Sequence, residues 1–418
     1  MVMPMWFRLL YSLLWALLLP LAFARIAWRG RSNRGYWQHW GERIAVTLPR
    51  GPFDVWIHAV SVGEARASLP LIQALLAQGK QIIVTCTTPT GRAMLESALE
   101  RTVTLRYLPY DAPWLVSRFL RAVRPALGVL LETELWPGVC DAARRAGIPT
   151  WLVNARLSAR SARGYDRGGS LTRAMLSCLT GIAAQTPAHG ERFRALGAEN
   201  VHVTGNMKFD LAIPEDVELR SAELAMHLTG GRAFWVAAST REGEEALLLD
   251  ALAAHPLRGV ATAVIIPRHP ERWDEVFATA RSRGFRVARR TDVIVAEDIE
   301  VIIGDSMGEM LAYCARARVV VMGGSLGGTG SQNLIEPCAL GVPVVLGPSV
   351  FNFQQAAEEA IAAGAAVSVA DAGAALNAVA QWIGDEPSRL TAGANARQFV
   401  AAHRGATERT LKLLQPLP

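Results

Sequence analysis

An α/β fold is predicted, with two doubly wound, Rossmann-like parallel sheets in tandem behind an N-terminal hydrophobic helix. Three observations predict it. From residue 54 onward, apolar runs rich in Val and Ile alternate with stretches of helical apolar period, the pattern of a parallel sheet wrapped by helices. The alternation lapses once, around DLAIPEDVELR, and then resumes. The chain has 418 residues, too many for one ordinary core when domains run ~100–200 residues.

The first series of strands reads DVWIHAV (54–60), QIIVTCTT (81–88), LGVLLET (127–133), TWLVNA (150–155), GIAAQ (181–185) and VHVTGN (201–206). The second reads AFWVAAST (233–240), TAVIIPRH (262–269), FRVARR (285–290), EVIIGD (300–305), RVVVMGGS (318–325) and VPVVLGP (342–348). The expected organisation is an anchor at 1–30, a first unit at 31–212, a linker at 213–232, a second unit at 233–395, and a helix at 396–418 that packs back on the first unit.

Hydrophobic residues make up 51% and charged residues 19%, which excludes disorder. Net charge is +6, and a basic balance favours anionic partners such as nucleotides, phospholipids or nucleic acid. Lys80, Lys208 and Lys412 are the only lysines beside 40 arginines, so arginine abundance itself says little about function. The five cysteines form no CxxC pair and have no histidine at metal-ligand spacing, which fits a reduced cytosolic setting. HExxH and P-loop motifs are absent, so the usual signals of zinc hydrolysis and P-loop chemistry are missing.

Between Arg8 and Arg25 lie sixteen uncharged residues, LLYSLLWALLLPLAFA, followed by Arg25, Arg29, Arg31 and Arg34. A span needs about 20 apolar residues, so this is a marginal transmembrane helix or one lying in the interface. A cleaved signal peptide is the rival reading. The basic flank favours the anchor and places the bulk of the protein in the cytoplasm.

In doubly wound sheets ligands bind beyond the carboxyl ends of the strands, and here those turns are polar. In the first half Glu64 follows HAVSVG, and ETELWP carries Glu132 and Glu134. Glu64 has two readings: an ordinary first-turn carboxylate favoured by the helix dipole, or a general base projecting into a cleft between the units. His58 reads as a buried, satisfied histidine. Lys208 in GNMKFD sits where it could neutralise a leaving phosphate or solvate the linker.

In the second half Ser239, Thr240 and Arg241, then Arg268 and His269, sit where strands give way to helices, so N–H groups and guanidinium converge on an anion. GGSLGGTGSQN, with Gly324 and Ser325, lets backbone approach phosphate, and Asn333 and Glu336 open the next helix, where Glu336 reaches a ribose. Gly308 and Glu309 lie in GDSMGEM. A Gly-rich loop that merely turns, and an arginine that merely caps, are the bland alternatives. GGSLG matches the G-x-S-x-G elbow, but no helix follows Ser325 directly, against a hydrolase. Arg160, Arg163 and Arg167 share one face if helical, a solvated face or a seat for lipid phosphates.

HAVSVGE, TPTG, LPYDAP, ETELWP, NARLSARS, VTGNMKFD, STREGEE, PRHPERW, GDSMGEM, GGSL, NLIEP, GVPVVLGP and FNF, in that order, resemble the 3-deoxy-D-manno-octulosonic acid (Kdo) transferases. The resemblance implies an inverting GT-B glycosyltransferase at the cytoplasmic face of the inner membrane. It implies CMP-Kdo as donor and the lipid A precursor as acceptor, with no metal or other cofactor and no nucleic acid partner. It also implies Glu64 as the catalytic base and Glu132 as support on the acceptor side, with Lys208 counted beside them among the catalytic residues, and Arg156, Ser158, Arg160 and Arg163 on the acceptor. The CMP site would take Ser239, Thr240, Arg241, Arg268, His269, Gly308, Glu309, Gly324, Ser325, Asn333 and Glu336. Two positions depart from the family pattern: Gln332 stands where histidine is usual, and Gly138 where asparagine is frequent. Gln332 cannot become cationic. A UDP-sugar enzyme of the same fold and a membrane-attached, non-catalytic nucleotide-binding module are the competing readings.

Overall fold

The computed structural model describes residues 3–31, 33–292 and 298–415. Seven strands form the first sheet: β1 (Phe53–His58), β2 (Ile82–Cys86), β3 (Thr104–Tyr107), β4 (Pro125–Leu131), β5 (Thr150–Ala155), β6 (Gly181–Ala184) and β7 (Val201–Val203). They lie in the order β3-β2-β1-β4-β5-β6-β7, every neighbour parallel. Alternate residues feed opposite faces. Trp56, Ile83, Leu130 and Leu152 pack with Val116, Phe119 and Leu120 of the helix Pro113–Val123. Ile57, Val84, Val129 and Val153 pack with Leu71, Ile72 and Leu75 of the helix Val62–Ala77. Covering both faces is what makes the strands read as unbroken apolar runs.

The second sheet comprises β8 (Phe234–Thr240), β9 (Thr262–Pro267), β10 (Val287–Arg289), β11 (Val301–Ile303), β12 (Val320–Met322), β13 (Val344–Leu346) and β14 (Ala366–Ser368). Its order is β10-β11-β9-β8-β12-β13-β14, again parallel throughout. In each sheet the direction of winding reverses once, between β1 and β4 and between β8 and β12. Those are the switch points, where turns diverge to opposite faces and leave a crevice for a ligand.

One compact unit runs to Leu211 and takes up the chain again at Arg404; the other is Ala212–His403. Two expected segments therefore need correction. Residues 213–232 are no plain linker: they carry the helix Val217–Thr229, which belongs to the second unit and whose Glu218 pairs with Arg316 at 3.4 Å. The returning helix starts later than residue 396. Glu386–His403 stays in the second unit, and Gly405, at φ +93°, breaks the chain before Ala406–Leu414. Asp210 then accepts from the N–H groups of Gly405 and Thr407 at 2.7 and 2.6 Å, fixing that last helix on the first unit. Residues 416–418 of this expectation lie outside the described residues.

The N-terminal helix is Met5–Arg29, its most apolar stretch of 18 residues has a mean hydropathy of 1.9, and it is long and apolar enough to cross a membrane. All five cysteines are free and buried.

Candidate functional site

At the first switch point Glu64 sits in the opening turn of the helix Val62–Ala77, with Ser61 as N-cap. Its two oxygens accept from Val60 N–H at 2.8 Å and from the Ser61 hydroxyl at 2.9 Å, and Glu64 N–H donates back to Ser61 Oγ at 3.3 Å, a variant of the capping box in which the glutamate reaches the N–H one residue before the N-cap. The ordinary structural role is thus realised. A carboxylate has about four lone-pair positions, so each oxygen keeps capacity for a further hydrogen bond. Burial pushes the Glu64 carboxyl above its usual range, against the Val60 hydrogen bond, and the charge of Glu132 adds to the rise.

Glu132, the first residue after β4, is buried between two cations: Lys208 Nζ at 2.6 Å and Arg156 Nε at 2.9 Å. Its φ of +52° is a left-handed conformation that costs a non-glycine residue about 1–3 kcal/mol. Glu132 N–H bonds to Val153 O at 3.0 Å, holding the turn against that cost. Next to it Asn154 also has a positive φ, +50°, and its Oδ1 accepts from Met207 N–H at 3.0 Å, seating the short 3-10 turn Met207–Asp210 that presents Lys208. Sequence reasoning gave Asn154 no role, because nothing local marks a buried asparagine at a strand end as support for a lysine from another segment.

Glu134 completes the group. Its Oε2 accepts from the Trp136 indole at 2.5 Å. Burial, and next the charge of Glu64, push its carboxyl up to about 7. Because the folded chain then holds a proton that the unfolded chain releases near 4.5, this group's contribution to stability is full below pH 4.5 and disappears as pH rises through about 7. Glu134→Gln is expected to flatten the fall in stability across that window, which urea unfolding at a series of pH values measures.

On the acceptor side named above, Ser158 caps the helix Ala159–Asp166, accepting from Ser161 N–H at 3.1 Å. Arg160 and Arg163 are exposed on that helix, no residue of which is buried. His58 is fully buried; its Nδ1 meets Thr85 O and Oγ1 at 3.1 and 2.9 Å, while its Nε2 has no protein partner. The expectation of a satisfied histidine holds for one nitrogen only.

The residues assigned to a nucleotide follow strands β8, β9, β11 and β12. Ser239, at φ +56°, ends the run with Thr240. Arg241 Nη1 donates to His269 Nε2 at 2.8 Å. Partial burial, and then Arg241 itself, lower the histidine's pKa, so the neutral ring can accept that bond. Arg268 is exposed, its N–H bonded to Thr240 O at 2.9 Å. Glu309 pairs with Arg290 at 3.1 Å, directly after Gly308. Asn333 Nδ2 donates to Glu336 Oε1 at 3.1 Å.

At three of these positions the polar groups already have partners within the chain. The Gly324 N–H group, expected to meet phosphate, donates instead to Glu244 Oε2 at 2.6 Å. Leu326 and Gly327 N–H donate to the same side chain at 2.8 and 2.9 Å, as does Arg241 N–H at 2.8 Å. A buried glutamate of the chain itself thus occupies the anion-binding concavity of the loop. Gly324, at φ +79°, leaves no room for a Cβ, which would fall 2.2 Å from Gly330 O. Ser325 is fully buried, bonded to Met322 O and Gly347 N–H, and so supports the loop. The Thr240 hydroxyl is likewise taken, by Glu245 at 2.7 Å. The elbow reading of GGSLG fails on the same facts: the next helix is Ile335–Ala339. Gln332 lies beside Gly324. Among the described residues no group of three or more His, Cys, Asp or Glu side chains is placed to hold a metal.

Residues 38–211 match the profile of the family described as 3-Deoxy-D-manno-octulosonic-acid transferase (kdotransferase). The chain is 41% identical to a 3-deoxy-D-manno-octulosonic acid transferase from Bordetella pertussis, over 98% of this chain and 99% of that one. It is 33% identical to the Haemophilus influenzae transferase of the same name, over 99% of each. Among solved structures, a glycosyltransferase from Rickettsia africae superposes on 88% of this chain and 99% of its own at a TM-score of 0.60 and 11% identity, a likeness of fold.

Proposed function

The chain belongs to the 3-deoxy-D-manno-octulosonic acid transferase family and is a glycosyltransferase of the GT-B fold; on that premise we propose that it moves Kdo from CMP-Kdo to a hydroxyl of the lipid A precursor, with Glu64 as general base. The observation that carries the reading is the buried Glu64 at the first switch point, raised in pKa and electrostatically linked to Glu132 and Lys208. A base is most effective when its pKa approaches the working pH, and burial moves Glu64 that way.

Ionised Glu64 takes the proton of the acceptor hydroxyl. The freed oxygen pair forms the new bond to the anomeric carbon of Kdo while the bond from that carbon to the CMP phosphate oxygen breaks, so CMP leaves with the electron pair and the centre inverts. Lys208 and Arg156 pair with Glu132 and hold it in place, and the charge of Glu132 adds to the basicity of Glu64. Arg241, Arg268 and neutral His269 supply donors and positive charge for the phosphate of the donor. Arg160 and Arg163 meet acceptor phosphate. The apolar N-terminal helix, with Arg25, Arg29, Arg31 and Arg34 behind it, favours attachment to the cytoplasmic face of the inner membrane.

Nucleotide choice tests the donor. With millimolar CMP the thermal midpoint is expected to rise by several degrees, the response of a ligand held by the folded state alone, while UDP at the same concentration leaves it unchanged. A rise with UDP and none with CMP would move the protein to a UDP-sugar donor.

A further inference from the structure

The helix Met5–Arg29 is docked lengthwise on its own unit. Met3 N–H and Arg8 Nε meet the two oxygens of Asp141 at 3.3 and 3.0 Å. The Tyr11 hydroxyl donates to Asp111 at 2.6 Å, a carboxylate that also accepts from Gly138 and Val139 N–H at 2.9 and 2.7 Å. Further along, Trp15 packs on Tyr110 at 5.7 Å, Leu19 joins the cluster of Ala45, Ala112 and Leu115, and Phe23 packs on Trp40 at 5.4 Å. At the far end the Trp37 indole donates to Ala27 O at 3.1 Å. These contacts recur every three or four residues and cover the helix from end to end, about 36 Å at 1.5 Å per residue.

The opposite side is bare and apolar: Trp6, Leu9, Leu13, Leu17, Leu21 and Trp28 are each at least 60% exposed. Arg25, Arg29, Arg31 and Arg34 are exposed at its C-terminal end.

We propose that this helix lies in the plane of an anionic phospholipid leaflet and does not cross it. The occupant of the bare face is acyl chain and headgroup boundary; the docked face stays on the protein. Length alone allows a span, since 25 residues exceed the ~20 needed. The contacts decide against it. A spanning helix would have to give up Arg8 and Tyr11 to hydrocarbon and leave Asp141 and Asp111, both buried, without those partners, whereas an in-plane helix keeps every bond and buries only its apolar side. Exposed arginines and rim tryptophans suit the headgroup level. The inference deepens the membrane part of the proposed function and rests on it.

The test places a nitroxide label, one at a time, on Leu9→Cys, Leu13→Cys, Leu17→Cys and Leu21→Cys of the full chain. The five native thiols are buried and stay unlabelled. The labelled chains are bound to vesicles of phosphatidylethanolamine with about one third phosphatidylglycerol, and label depth is read from collision with oxygen and a nickel chelate. Four similar, shallow depths are expected. Arg25→Gln with Arg29→Gln should weaken binding by about 30-fold, the effect of removing two cations near a charged surface. A depth that peaks in the middle of the series overturns the in-plane helix while leaving membrane attachment standing. Failure of the unmodified chain to bind the vesicles overturns both.

Discussion

Glu64→Gln is expected to lower kcat by about 10²- to 10⁴-fold, the usual worth of a positioned general base, while the fold and CMP binding persist. Glutamine is chosen because it preserves the capping box at this helix position: its carbonyl accepts from Val60 N–H and its amide pairs with Ser61. Alanine would mix two effects, since loss of the cap costs about 1 kcal/mol by itself. A second readout comes from pH. The base must be ionised and its pKa is raised, chiefly by burial, so kcat/KM in the native chain falls with acidity on a limb above the ordinary carboxylate range. Glu64→Gln removes that limb.

Glu244→Ala is expected to destabilise the chain by on the order of 3 kcal/mol and to abolish CMP binding, read by urea unfolding and calorimetry. Four backbone N–H groups converge on that one carboxylate, and buried donors left without partners cost about 1–3 kcal/mol each before water enters. Glu244→Gln should be nearly as harmful despite its equal size, since its amide would direct two hydrogens at groups that are themselves donors. If glutamine is tolerated, the side chain holds the Gly324–Gly327 turn by packing and the electrostatic account of the loop is wrong.

Most strands were legible because both sheet faces are covered, which turns buried strands into Val- and Ile-rich runs such as VWIH and IIVTC. The two that were not legible are edge strands. Thr104–Tyr107 alternates half-buried and buried residues, and Ala366–Ser368 is three residues of weak apolar character. The edge strands β7 and β10 were legible all the same, so what hides these two is the lack of an apolar run long or continuous enough to stand out. In the site, Glu64 and Glu132 were legible by their places after β1 and β4. Their relation to Lys208 and Asn154 was not, since tertiary folding alone joins those segments. In STREGEE nothing distinguishes Glu244 from Glu242 or Glu245. Its role exists only once the fold brings it to a turn some eighty residues further along the chain. For the same reason the Gly-rich turn was read as an open phosphate cradle when an internal carboxylate already fills it.

The measurement that bears most directly on the central claim is the mass of a lipid A precursor after incubation with the membrane-bound chain and CMP-Kdo generated in situ, run in parallel with Glu64→Gln. The account predicts a gain of one or more Kdo units with the native chain and, over the same time, no detectable gain with the variant. No gain with the native chain would contradict the assigned donor and acceptor, and an equal gain with both would contradict Glu64 as the base.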